Sequence, residues 1–98
     1  MKIKNNHFAQ LKNKIKSKDV KIGIVGLGYV GLPLALSLSR FFNVFGFDKS
    51  AKRINELKKK YDSNKEVTLR EFNKSRVKFL STNDFFKEKI NTFIVTVP

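Results

Sequence analysis

A glycine turn sets the terms on which this chain can fold. Gly26-Leu27-Gly28-Tyr29-Val30-Gly31 follows the apolar stretch Val20 to Val25 and leads into a second apolar stretch with helical spacing. A strand that enters three glycines so spaced and leaves them as a helix is a β-turn-α unit with little freedom. The first glycine permits a tight exit from the strand, since it lacks a Cβ and reaches positive φ. The second keeps side-chain atoms away from whatever approaches the turn, and the third lets the helix lie close to the strand. Further on, Phe41 to Phe47 reads as another strand. It is apolar nearly throughout, as a central parallel strand should be, and it ends in an acid, Asp48.

Such a unit suits the pyrophosphate and adenosine ribose of a dinucleotide. The helix start offers free N–H groups and the positive end of its dipole to an anion. Asp48 stands 17 residues after Gly31, close to the usual separation for a ribose-binding acid. Its carboxylate accepts hydrogen bonds from the ribose hydroxyls and repels a 2′-phosphate, which selects NAD over NADP. For glycines alone the alternative is a purely structural turn. The strand before them, the helix after them and the acid at the next strand's end favour the cofactor. Gly23, inside the first strand, reads as close packing.

The remaining pattern extends the same architecture. The helix after the glycines is predicted to run to about Arg40, with Leu27, Val30, Leu34, Ala35 and Leu38 on one face and Pro33 near its first turn. Ser50 to Tyr61 reads as a helix buried through Ile54 and Leu57, with Lys58, Lys59 and Lys60 in its last turn. Thr68 and Glu71 have capping-box spacing, which predicts a small helix over 68–74. Val77 to Leu80 reads as a third strand. Ser81 to Asp84 offers N-caps for a short helix through Lys89, and Thr92 to Val97 reads as a fourth strand. The alternation implies an α/β fold of Rossmann type: a parallel sheet of about four strands in order 3-2-1-4, with helices on both faces. Residues 1–19 read as a basic lead-in, with Phe8, Leu11 and Ile15 at helical spacing over residues 7–17. Residues 20–98 read as a partial NAD-binding domain, since a full domain of this kind has six strands and about 150 residues.

Composition narrows the functional classes. The chain has no cysteine, so it offers neither a disulfide framework nor a thiol metal site. His7 has no second ligand nearby, and no metal site is predicted. Nothing approaches the roughly 20 apolar residues of a membrane span, and the basic start lacks the apolar core of a secretory signal. A cytoplasmic location is the expectation. The net charge of +13 comes from 17 lysines and only four arginines against eight acids. Base-reading proteins use arginine forks and exposed aromatic rings, whereas the phenylalanines here fall at strand-like or helix-face positions. Specific nucleic-acid binding is therefore not predicted; loose, salt-sensitive adhesion to polyanions is.

The wording of the sequence goes beyond the glycine pattern. GLGYVGLPLA, VFGFD, a basic helix carrying Arg53, and IVTVP together resemble the nucleotide-sugar 6-dehydrogenases over roughly residues 18–98. That family oxidises UDP-glucose, UDP-N-acetylhexosamines and GDP-mannose. The stretch Tyr61 to Val67 is similar to the bacterial UDP-N-acetylglucosamine or galactosamine 6-dehydrogenases of surface-polysaccharide synthesis. The resemblance implies NAD held by Gly26, Leu27, Gly28, Tyr29, Val30, Gly31 and Asp48. It places Arg53 on the adenosine side, and Thr96 and Val97 beside the ribose and pyrophosphate. It also implies oxidation of a sugar C6 alcohol to a carboxylate, with two NAD reduced and the intermediate aldehyde captured by a cysteine thiolate.

With no cysteine, no residue of this chain is assigned a catalytic role. The chain is expected to be an N-terminal portion, inactive alone, of an enzyme whose UDP-sugar and oligomer contacts lie elsewhere. Two other readings stand beside this one: a stand-alone dinucleotide-binding module that pairs with a separate chain supplying the catalytic half, and a basic polyanion-binding protein on a disused fold. Intact Gly26, Gly28, Gly31 and Asp48 count against the second. Hydroxyacid and 6-phosphogluconate dehydrogenases share such glycine turns, but the GYVGLP wording and the placing of Asp48 and Arg53 argue against them.

Overall fold

The computed structural model describes residues 20–96; the predicted helix over 7–17 and Val97 lie outside them. Four strands, β1 (Lys21–Val25), β2 (Asn43–Phe47), β3 (Lys78–Phe79) and β4 (Thr92–Val95), form one sheet in the order β3-β2-β1-β4. Every neighbouring pair is parallel. The helices are α1 (Gly31–Leu38), α2 (Ala51–Lys58), α3 (Leu69–Lys74) and α4 (Thr82–Lys87). This is the Rossmann-type α/β sheet expected from the alternation, with its strand order.

Strand alternation sorts the two faces of the sheet. The register pairs Ile22 with Val44 and Ile24 with Gly46 and Ile94. These even positions join Leu32, Ala35 and Leu36 of α1, Ile54 and Leu57 of α2, and Phe72 of α3 in one apolar core. Odd positions face the other way, toward α4. The Phe85 ring lies 5.2 Å from that of Phe47 and 6.1 Å from that of Phe93. A Cβ on Gly23 would meet Phe85 Cζ at 2.9 Å and Ile90 at 3.1 Å, so a glycine there lets α4 and its flank settle onto β1.

Several element ends differ from the sequence pattern, each for a local reason. Helix α1 stops at Leu38, and Ser39 turns its hydroxyl back to the Leu36 carbonyl at 2.7 Å. Its buried stripe is Gly31, Leu32, Ala35 and Leu36, while Val30 is exposed. A helix reading GLPLALSL is apolar on nearly every side, so periodicity alone cannot orient it. Phe41 is an exposed turn residue, and β2 begins only at Asn43. The capping box of Thr68 and Glu71 forms as its spacing predicts.

Helix α2 ends before two of the three lysines expected in its last turn. Lys60 donates to Leu57 O at 2.9 Å, and Tyr61 to Glu56 O at 3.0 Å. This is a Schellman closure, and it places Lys60 at φ 60°, where glycine is usual. A left-handed conformation costs a residue with a Cβ about 1–2 kcal/mol. Lys60→Gly is accordingly expected to raise stability by about 0.5–1 kcal/mol, after its larger unfolded-state entropy is allowed for. Urea unfolding should show an unchanged slope and a higher midpoint.

Candidate cofactor site

The carboxyl ends of β1, β2 and β4 meet at the glycine turn, where an open parallel sheet binds its ligands. Gly26 leaves β1 at φ +97°. Its N–H donates to Phe47 O at 2.8 Å, which ties the turn to the end of β2. A side chain there would run into the Thr96 carbonyl. Gly31 opens α1 with equally little room, since its added Cβ would overlap the Gly26 carbonyl and approach Thr96 Oγ1. Gly28 is the opposite case. A Cβ built on it meets no atom within 4 Å, so packing does not require this glycine, and the space above it is open to a ligand.

Around that space the polar groups converge. Val30 begins α1 without any side-chain cap. Leu32 N–H already donates to Gly28 O at 3.2 Å and Pro33 has no N–H, so the first turn offers an anion the Gly31 N–H and the positive end of the helix dipole. Asp48 is half-buried at the end of β2. Its Oδ2 accepts from Leu27 N–H at 3.0 Å, and its Oδ1 from Ser50 N–H at 2.9 Å. Each carboxylate oxygen keeps a further lone pair for a hydroxyl. Thr96, just beyond β4, donates its hydroxyl to Gly26 O at 2.6 Å, and its N–H to Val25 O at 2.8 Å. Tyr29 and Val30 stand on the rim, 66% and 68% exposed.

Two residues of the predicted site turn inward. Leu27 is fully buried, and its side chain packs under the Gly46 position of β2. Arg53 reaches back under the turn. Its Nε and Nη2 both donate to Leu27 O, at 2.8 and 2.6 Å, while Nη1 donates to Glu56 at 2.7 Å and to Asp62 at 2.6 Å. The side chains of Arg53 and Asp62 are 10% and 0% exposed. Arg53 is thus neither a solvated helix arginine nor an outward-facing one.

Asp62 is the residue that the sequence pattern did not single out. Its two oxygens accept from Arg53 and from the N–H groups of Asn64, Glu66 and Val67. Burial alone would raise its pKa, but Arg53 and those N–H groups outweigh burial and hold the carboxyl below its ordinary value of 3.8. Glu56 is likewise held below its ordinary 4.5, because Arg53 and Ser63 outweigh the effect of burial. A signal was available. Arg53 is one of four arginines among 17 lysines, and a planar fork is what one carbonyl and two carboxylates call for. Asp62 followed by Ser63 and Asn64 also has the composition of a side-chain-closed turn.

The profile of the UDP-glucose/GDP-mannose dehydrogenase family, NAD binding domain, matches residues 20–98. The chain belongs to that family. Its cofactor is NAD, and the open space at Gly28, the uncapped α1 start and the free lone pairs of Asp48 fit such a group. A UDP-N-acetyl-D-glucosamine 6-dehydrogenase of Salmonella typhi is 49% identical over 81 residues, which is 82% of this chain and 19% of that protein. Its namesake in Pseudomonas aeruginosa is 44% identical over 83% of the chain and 19% of its own length. A UDP-N-acetyl-D-mannosamine dehydrogenase of Methanococcus vannielii is 39% identical over 85% of the chain and 20% of its own length. The chain therefore spans about one-fifth of the length of these relatives. No solved structure matches it. Among the described residues there is no cluster of three or more metal-ligating side chains, and no helix long and apolar enough to cross a membrane.

Proposed function

We propose that this chain forms the NAD half-site of a nucleotide-sugar 6-dehydrogenase acting on a UDP-N-acetylhexosamine in surface-polysaccharide synthesis. The observation that carries the cofactor part is the open space at Gly28, set between an uncapped helix start and the Asp48 carboxylate. The substrate class rests on the two relatives at 49% and 44% identity, both named for UDP-N-acetyl-D-glucosamine.

In this reading the pyrophosphate lies over Gly28, against the Gly31 N–H and the positive end of the α1 dipole. Asp48 accepts the adenosine ribose hydroxyls through its outer lone pairs and repels a 2′-phosphate. Thr96 flanks the cofactor at the end of β4, with Tyr29 and Val30 as its rim. Bound NAD supplies the hydride acceptor. The thiol implied by the family resemblance is not among these 98 residues, which hold no cysteine. The chain alone is therefore expected to bind NAD without oxidising a sugar. The UDP-sugar and any oligomer contacts belong to the whole enzyme, and a cytoplasmic location follows from its two soluble substrates.

Calorimetric titration tests this reading. NAD should bind saturably and NADP much more weakly. Asp48→Ala should weaken NAD by about tenfold, the worth of charge-assisted hydrogen bonds, and narrow the preference over NADP. Equal affinity for NAD in parent and variant would contradict the role of Asp48.

A further inference from the structure

The turn that faces the cofactor is held from behind. Arg53 gives two N–H groups of one rigid guanidinium to the Leu27 carbonyl, so that carbonyl cannot swing. No peptide bond among the described residues is cis. In a trans peptide the N–H points opposite to the C=O, so the Gly28 N–H is directed away from Arg53. Arg53 is buried, whereas a Cβ on Gly28 would meet no atom within 4 Å, so the turn is open at the residue that carries this N–H.

The preceding peptide is held as firmly: its carbonyl, Gly26 O, accepts from Thr96 Oγ1 and its N–H, that of Leu27, donates to Asp48. The Leu27–Gly28 peptide would otherwise be the loose one, because glycine tolerates both orientations of the plane before it. A flipped plane would turn a carbonyl oxygen, not an N–H, toward the phosphates.

We propose that Asp62 and Glu56, acting through Arg53, are positioning residues for the cofactor's pyrophosphate. They fix the guanidinium that locks the Leu27–Gly28 peptide with its N–H toward the ligand. Asp62 does so from a side chain that no ligand touches, since it is wholly buried behind Arg53. It also closes the 62–67 loop on itself through the N–H groups of Asn64, Glu66 and Val67. The shape of that loop is thereby coupled to the glycine turn. The inference rests on the NAD reading of the site and adds to it a role for Arg53 that requires no contact with adenosine.

The test separates the halves of the ligand. Amide-resolved NMR titrations of the 98-residue chain would use NAD, ADP and adenosine as probes, with Arg53→Lys and Asp62→Asn as variants. In variants whose spectra remain folded, NAD and ADP should weaken about tenfold while adenosine stays within about twofold of the parent, because only a pyrophosphate contact is lost. The Gly28 amide resonance should shift in both variants before any ligand is added. NAD affinity unchanged in folded Asp62→Asn would overturn the proposal. So would an Arg53→Lys chain that loses adenosine as strongly as ADP, since that marks direct contact with the nucleoside. Should Asp62→Asn not fold, Glu56→Gln takes its place: a smaller loss confined to NAD and ADP supports the proposal, and no loss overturns it. A folded parent that binds no NAD fails one step earlier, and overturns the site reading before any substitution is made.

Discussion

Asp62→Ala is expected to destabilise the chain by about 3–5 kcal/mol, the usual result of removing one member of a buried ion pair. The loss has two parts. Arg53 stays buried with Glu56 as its remaining carboxylate, and the N–H groups of Asn64, Glu66 and Val67 lose their acceptor. A domain of this size has about 5–15 kcal/mol in all, so the variant should lose a large share of the chain's stability. Urea unfolding followed by circular dichroism measures the difference. The parent should show the same contact through pH. Asp62 and Glu56 are both held below their ordinary values of 3.8 and 4.5. Groups with depressed folded pKa values bind protons more readily in the unfolded chain. Their stabilisation is therefore complete above those ordinary values and is lost as pH falls below them. Asp62→Ala should flatten that acid limb, whereas an unaltered limb would place the acid sensitivity elsewhere.

Gly31→Ala is expected to cost about 3 kcal/mol or more, at the upper end of overpacking, or to prevent folding outright. The added methyl would overlap the Gly26 carbonyl and approach Thr96 Oγ1. The carbonyl is fixed backbone, and the hydroxyl is already bonded to it at 2.6 Å. Relief would require α1 to move off the end of β1, which would open the core around Leu32 and Ala35. Gly31 has no positive φ, so the effect is one of space alone. Unfolding midpoints decide the matter; a variant as stable as the parent would mean that α1 is not held where it is described.

The fold was legible because its signals were local and agreed. Glycines at 26, 28 and 31, an acid at 48, a capping box at 68 and 71 and four apolar stretches all point to one alternation of strand and helix. Helix orientation was not legible at α1, where every side but one is apolar. The extra length read into the second strand came from Phe41, an aromatic residue that the structure leaves exposed. The site divides in the same way. Gly26, Gly28, Gly31, Asp48 and Thr96 lie together at the strand ends, as their spacing suggested. Arg53 could be placed one turn into its helix, but not oriented, because two of its three partners lie outside that helix. Leu27 is 26 residues away and Asp62 meets it only through the fold. A residue such as Asp62, whose bonds are to backbone N–H groups and one distant guanidinium, carries almost no periodic signature.

The central claim is that Gly28 is kept open for the cofactor and not for packing. The most direct measurement is a paired one on Gly28→Ala: thermal unfolding and calorimetric titration with NAD. Its new methyl meets no protein atom within 4 Å, so the unfolding midpoint should change by no more than the equivalent of about 0.5 kcal/mol. NAD affinity should nevertheless fall by at least about tenfold, because the methyl occupies the approach to the pyrophosphate. A variant that melts like the parent and binds NAD equally well would contradict the account.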